Sequence, residues 1–120
     1  MTYQRKKTGA LGEKLAAEFL KKLGYKILDT NVRTSVGEID LLARHKNDIV
    51  AVEVKTKSGE DFGAGFEMVD FFKRRKLLGL AHLLEARYPK ATIRIDIVSV
   101  NTTVDPPDIK HFSSAVEENK

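Results

Sequence analysis

Two runs of alternating apolar residues, Glu38 to Arg44 and Ile49 to Lys55, flank His45-Lys46-Asn47-Asp48, a polar group suited to a turn. This pattern predicts a β-hairpin. Pairing Arg44 with Ile49 across a four-residue loop sets Asp40 opposite Glu53 and Glu38 opposite Lys55. Alternation then puts Ile39, Leu41 and Ala43 on one face with Val50, Val52 and Val54, and Asp40, Glu53 and Lys55 on the other. Like charges directly across an antiparallel pair cost up to about 1 kcal/mol, so a purely structural hairpin gains nothing from them. A divalent cation reverses that sign. Carboxylates a strand apart are hard oxygen donors of the kind Mg²⁺ takes, with positions left for water and a phosphate oxygen. Lys55 can hold an attacking water or offset charge growing on a phosphate. A solvated charged face accounts for the same spacing, and a one-residue slip in register moves Asp40 to the other face.

The remaining chain supplies the covering elements. From Gly9 to Leu23, apolar residues at 11, 15, 16, 19, 20 and 23 follow helical spacing, with Thr8 as the expected cap and Gly24 as the stop. Glu13 and Glu18 both border its apolar stripe, and the helical wheel does not choose between them. Residues 1 to 8, with Arg5, Lys6 and Lys7, read as a mobile start. Tyr25 to Thr30 predicts a strand and Asn31 to Val36 a loop containing Arg33. The segment SGEDFGAGF after Lys57 reads as a loop beside the charged hairpin face. Its Gly63-Ala64-Gly65 lacks the third glycine and the strand context of a dinucleotide cradle.

Residues 67 to 87 predict a second long helix, with Val69, Phe72, Leu77, Leu80, Ala81 and Leu84 as its buried stripe and Tyr88-Pro89 as its end. Of the successive cations Lys73 to Lys76, only Lys73 and Lys76 share a side; a solvated flank accounts for the run. Ala91 to Val100 reads as a strand parallel to the one holding Glu53, containing Asp96, for which a hydrogen bond to neighbouring loop backbone is expected. Thr102 to Asp108 reads as a loop, Ile109 to Phe112 as an edge strand, and Ser113 onward as a short helix or frayed tail. His45, His82 and His111 have no zinc-like spacing and read as surface or loop residues.

At 120 residues the natural count is one domain, 1–120. The net charge of +4, from 21 basic and 17 acidic side chains, favours polyanions without singling one out. No cysteine is present, which excludes disulfides and thiolate metal sites and is compatible with a cytoplasmic protein. No secretory signal or membrane-spanning run is expected. The order α-β-β-β-α-β predicts an α/β domain with a mixed sheet: an antiparallel three-strand meander, a helical crossover and a parallel strand, with a helix on each face.

Asp40 followed by Glu53-Val54-Lys55 resembles the signature of the PD-(D/E)XK nuclease superfamily. More narrowly, Gly12-Glu13, Gly37-Glu38-Ile39-Asp40-Leu41 and Val52-Glu53-Val54-Lys55, with Lys73 and Arg94-Ile95-Asp96, look like the small bacterial YraN-like family, which is similar in fold to archaeal Holliday junction resolvases. The resemblance runs in order from about Gly9 to about Val100. It implies a restriction-endonuclease-like core and a metal-dependent nuclease hydrolysing DNA phosphodiester bonds, including branched recombination and repair intermediates. Asp40 and Glu53 would bind Mg²⁺ or Mn²⁺, Lys55 would assist the water, and Glu13, chosen over Glu18 by the resemblance alone, would complete the metal site. Phosphate contacts are expected from Arg33, Lys57, Lys73 and Lys76. The resemblance admits a homodimer. The rival readings are a non-catalytic nucleic-acid-binding module and an adaptor of DNA-processing proteins on the same fold.

Overall fold

A computed structural model describes residues 3–57 and 71–115, with side chains over 9–57 and 75–115. Helix α1 (Tyr3–Lys22) precedes strands β1 (Lys26–Arg33), β2 (Glu38–His45) and β3 (Asp48–Lys57). Helix α2 (Phe71–Arg87) then crosses over to β4 (Thr92–Asn101) and β5 (Asp108–Phe112). The five strands form one sheet in sequence order, antiparallel except for the parallel β3–β4 pair. This is the expected mixed α/β sheet with a helix on each face, and β5 is the expected edge strand.

Helix α1 stops where Gly24 turns to a φ of 94°, with the Tyr25 N–H bonding the Leu20 carbonyl and the Gly24 N–H that of Lys21. A left-handed glycine at this point closes the last turn without a Cβ clash. Ala16 and Leu20 of α1 are buried against Leu41, Ala43, Val50, Val52, Val98 and Val100, while Leu11 and Leu23 stay exposed. On the other face Leu77, Leu80 and Leu84 of α2 pack on Ile39, Leu42, Ile49, Ala51 and Ile95. Each such fully buried leucine contributes about 1.5–3 kcal/mol of transfer free energy.

Several expectations need correction. The backbone of residues 3–8 is helical, so α1 begins five residues before Thr8 and these six residues of the expected mobile start are part of the helix. β1 runs on through the predicted loop to Arg33. The hairpin closes on His45↔Asp48 around Lys46-Asn47, with Lys46 at a φ of 56°, which tightens the turn yet keeps the expected Arg44↔Ile49 register. Ile39 does not share a face with Leu41 and Ala43; it packs on the α2 side with Leu42. The predicted loop after Lys57, Gly63-Ala64-Gly65, residues 67 to 70 with Val69, the side chains of Phe72 and Lys73, and the tail beyond Ala115 lie outside the described residues.

A buried polar cluster is a further departure. The Asp96 carboxylate, with no exposed surface, accepts hydrogen bonds from Tyr25 Oη (3.0 Å), Arg94 Nε (3.0 Å) and the Ser114 backbone N–H (3.0 Å), and lies 2.8 Å from His111 Nε2. The bond to loop backbone was expected; the others were not. Arg94 also bonds Asp48 at 2.9 Å and Tyr25 Oη, and the His45 ring stacks on Tyr25 at 4.2 Å. Two of the three histidines, both half-buried, are therefore partners in this cluster, while His82 is exposed on α2, 3.2 Å from Glu85.

Burial pushes the Asp96 carboxyl up, but the bonds from His111, Arg94 and the Ser114 N–H outweigh it and hold the group below its ordinary value of 3.8. Burial, with the Asp96 charge beside it, pushes the Tyr25 phenol up to about 12. No side-chain N or O that is both described and buried lacks a hydrogen-bond partner. The cluster is a satisfied lock that ties Tyr25, in the α1–β1 connection, to β3, β4 and β5.

Candidate metal and nucleic-acid site

The hairpin ladder runs from His45↔Asp48 to Leu41↔Val52 and there it ends. The expected cross-strand pair of Asp40 with Glu53 is not formed. Asp40 instead reaches across to β3, its Oδ2 accepting the Val54 backbone N–H at 2.8 Å. A carboxylate thus takes the place of a main-chain acceptor, on the peptide that joins Glu53 to Val54.

The cause lies partly on β1. Asn31, between the pairs Thr30↔Leu41 and Val32↔Ile39, faces Asp40 and has a φ of 51°. Asparagine is among the few side chains that tolerate this left-handed region. The neighbouring pair Val32 and Ile39 both pack on the α2 side, whereas Leu41 packs on the α1 side. The change of face therefore coincides with Asn31 and Asp40.

Glu53 is 9% exposed, and its Oε1 lies 3.6 Å from Lys55 Nζ. The two share a face, as expected from their spacing. Glu38 and Glu53 line one narrow crevice with Ile39, Ala51, Val52, Leu77 and Leu80. Glu13 joins through Asn31: with its NH₂ turned toward the acids, the amide donates to Glu13 Oε1 at 3.3 Å and to Glu38 Oε1 at 3.1 Å. Burial pushes the Glu13 carboxyl up from its ordinary 4.5; the Asn31 bond opposes this and the Glu38 charge reinforces it, leaving the group raised.

Two glycines allow these approaches. A Cβ on Gly12 would collide with the Thr56 hydroxyl, so only glycine lets α1 lie this close to the end of β3 and carry Glu13 with it. A Cβ on Gly37 would strike the aliphatic chain of Lys76, which lies across the start of β2. Lys76 thereby lies against Gly37, the residue before Glu38. Arg33 is exposed at the end of β1, paired with Glu38; Lys57 is half-buried at the end of β3, its carbonyl bonded by Thr102. The Lys73 side chain lies outside the described residues.

Asp40 is thus bonded to the peptide after Glu53, Glu53 lies by Lys55, and Glu13 shares the Asn31 amide with Glu38, which lines the crevice with Glu53. Sequence reading did not select Glu38 or Asn31. The signal for Glu38 was its place in Gly37-Glu38-Ile39-Asp40; that for Asn31 was a residue tolerant of positive φ opposite Asp40. Among the described residues, no three acidic or histidine side chains stand close enough together to hold a metal ion as they are. The donor chemistry still fits a hard divalent ion, because Mg²⁺ is commonly held by one or two carboxylates, with water and phosphate oxygens completing its shell.

Residues 12–100 match the model of the family described as "Uncharacterised protein family UPF0102". The chain belongs to this family. It is the YraN-like group that the motifs resemble. A family protein from Syntrophotalea carbinolica is 42% identical over 119 residues, covering 98% of this chain and 97% of its own. One from Caldanaerobacter subterraneus subsp. tengcongensis is 44% identical over 98 residues, 80% of each chain. One from Roseiflexus castenholzii is 42% identical over 123 residues, covering 98% and 99%. Among the described residues, no helix is long and apolar enough to cross a membrane.

Proposed function

We propose that the open end of the hairpin is the active site of a divalent-metal-dependent nuclease acting on DNA phosphodiester bonds in the cytoplasm. The observation that carries this reading is Asp40, whose carboxylate ends the β2–β3 ladder at the peptide joining Glu53 to Val54, beside the Glu53–Lys55 pair. A strand pair that only held the sheet together would keep its main-chain bonds there.

Asp40 and Glu53 would hold Mg²⁺ or Mn²⁺, with Glu13, from α1, and Glu38, from the start of β2, able to complete or bridge the site. The metal would supply Lewis-acid stabilisation of charge developing on the phosphate and lower the pKa of a bound water. The Val54 N–H fixes one oxygen of Asp40 and so orients its carboxylate. Lys55, held near Glu53, orients the attacking water or offsets charge on the phosphate, an interaction strongest in the transition state. Arg33, Lys57, Lys73 and Lys76 would contact flanking phosphates, which suits salt-dependent binding with little base preference.

The test is a panel of labelled DNAs, branched, duplex and single-stranded, incubated with Mg²⁺ or Mn²⁺. Wild type is expected to cleave at least one and Asp40→Ala none. Lys55→Ala should lower cleavage on the order of 10²-fold while leaving affinity nearly unchanged. Equal cleavage by wild type and Lys55→Ala would remove the Glu-x-Lys pair from the chemistry. Salt-sensitive binding without metal-dependent cleavage would establish the binding-module reading instead.

A further inference from the structure

The chain carries a second concentration of charge that the hairpin site does not use. Where the β2–β3 turn meets the α2–β4 connection, Arg44, Asn47, Arg87, Tyr88, Lys90 and Thr92 help to line an open cleft of about 530 Å³. Three of these side chains are cations, none is acidic, and all three cations are exposed. No ion pair involves Arg44, Arg87 or Lys90 among the described residues. The nearby acid, Asp48, is already bonded to Arg94 at 2.9 Å. Arg87 lies 5.9 Å from the centre of the Tyr88 ring, which restrains its guanidinium.

Three unpaired cations around a concavity repel one another, and an anion relieves that repulsion. The C-terminus of α2 points its partial negative charge here, equivalent to about half an elementary charge, which three full positive charges outweigh. Guanidinium forks suit phosphate oxygens bidentately.

The position of the cleft identifies the anion. Arg44 and Asp40 stand four residues apart on β2, about 13 Å at the usual strand rise. Along α2, Leu77 at the acidic crevice and Arg87 at the cleft are ten residues apart, about 15 Å. Both rulers give about four base-pair steps of duplex DNA. We propose that this cleft binds the phosphate backbone of the nucleic acid about four steps from the phosphate held at the hairpin. This rests on the nuclease reading for its partner, while the cleft itself stands on residues outside that site.

The experiment measures affinity for a labelled 20-base-pair duplex across a salt series, without divalent metal, for wild type, R44A/R87A/K90A, and the control K21A/K22A/K110A, which removes equal charge from exposed positions outside the cleft lining. The cleft variant should lose at least tenfold in affinity at 0.1 M salt and reduce the slope of log K against log salt by about 2–3. The control should lose much less, and melting should show both variants folded. Equal losses in the two variants, no loss in the cleft variant, or no duplex binding by wild type at 0.05 M salt would overturn the proposal. Cleavage of the DNA panel is read separately. Cleft-dependent binding with no cleavage would sink the nuclease reading alone, and cleavage with unaltered binding in the cleft variant would sink the cleft alone.

Discussion

Asp96 and Glu13 are carboxylic acids in the same small chain, shifted in opposite directions. Asp96 is wholly buried and receives bonds from an arginine, a tyrosine and a backbone N–H, with a histidine at 2.8 Å, so its charge is compensated and its pKa falls. Glu13 is half-buried beside another acid with one amide between them, so its charge is under-compensated and its pKa rises. The first arrangement spends polar groups on holding the α1–β1 connection to β3, β4 and β5. The second keeps like charges close with a single amide between them. Compensation, not burial alone, separates the charged cluster that builds the fold from the one proposed to carry the chemistry.

The largest effect should follow from breaking the compensated cluster. Asp96→Ala leaves Arg94 largely buried without its main partner and should cost about 3–5 kcal/mol in denaturant unfolding. Because the folded-state pKa of Asp96 lies below the unfolded one, its contribution is whole at neutral pH and is lost as pH falls from about 4 through the lower folded value. Wild type should therefore lose stability over that acid range more steeply than Asp96→Ala, as read by unfolding curves at successive pH.

Substitution of Asn31 should have a smaller effect. Asn31→Ala loses the two amide bonds and places a Cβ-bearing residue without polar compensation at a φ of 51°, for about 1–2 kcal/mol. Asn31→Gly keeps the backbone relaxed and loses only the bonds. It should be the more stable of the two, and the Glu13 carboxyl, followed by NMR titration, should rise further in it. An unchanged Glu13 titration would remove Asn31 from its place between the two acids.

The smallest effect should come from Glu13→Gln. A raised folded-state pKa means that the ionised group costs stability above that value and the cost is relieved as pH falls through it. Glu13→Gln should thus leave stability at pH 7 unchanged or raise it by no more than about 1 kcal/mol, given solvent screening. A clear loss would place Glu13 in the structural class with Asp96.

Most of the fold was legible because each element carries its own period: the hairpin register, the buried face of α2 with Leu77, Leu80 and Leu84, and the parallel β4 all follow from local alternation and order. The Asp96 cluster was not, since residues 25, 48, 94, 96, 111 and 114 meet only through the sheet, and no local pattern joins them. Ile39 and Asp40 were misplaced for a different reason. Alternation assumes an unbroken ladder, and the break depends on the backbone angle of Asn31 and on a side chain taking a main-chain donor. The string Glu-x-Lys marked where to look, while the geometry that makes the place unusual came from β1.

The central claim is that the hairpin end keeps its carboxylates together because a divalent ion compensates them. Thermal melting of wild type and Asp40→Ala with and without millimolar Mn²⁺ tests it directly. Wild type should be stabilised by mass action, by about 2.7 kcal/mol at a hundredfold excess over Kd, and Asp40→Ala much less. No shift in wild type, or an equal shift in Asp40→Ala, would contradict the account.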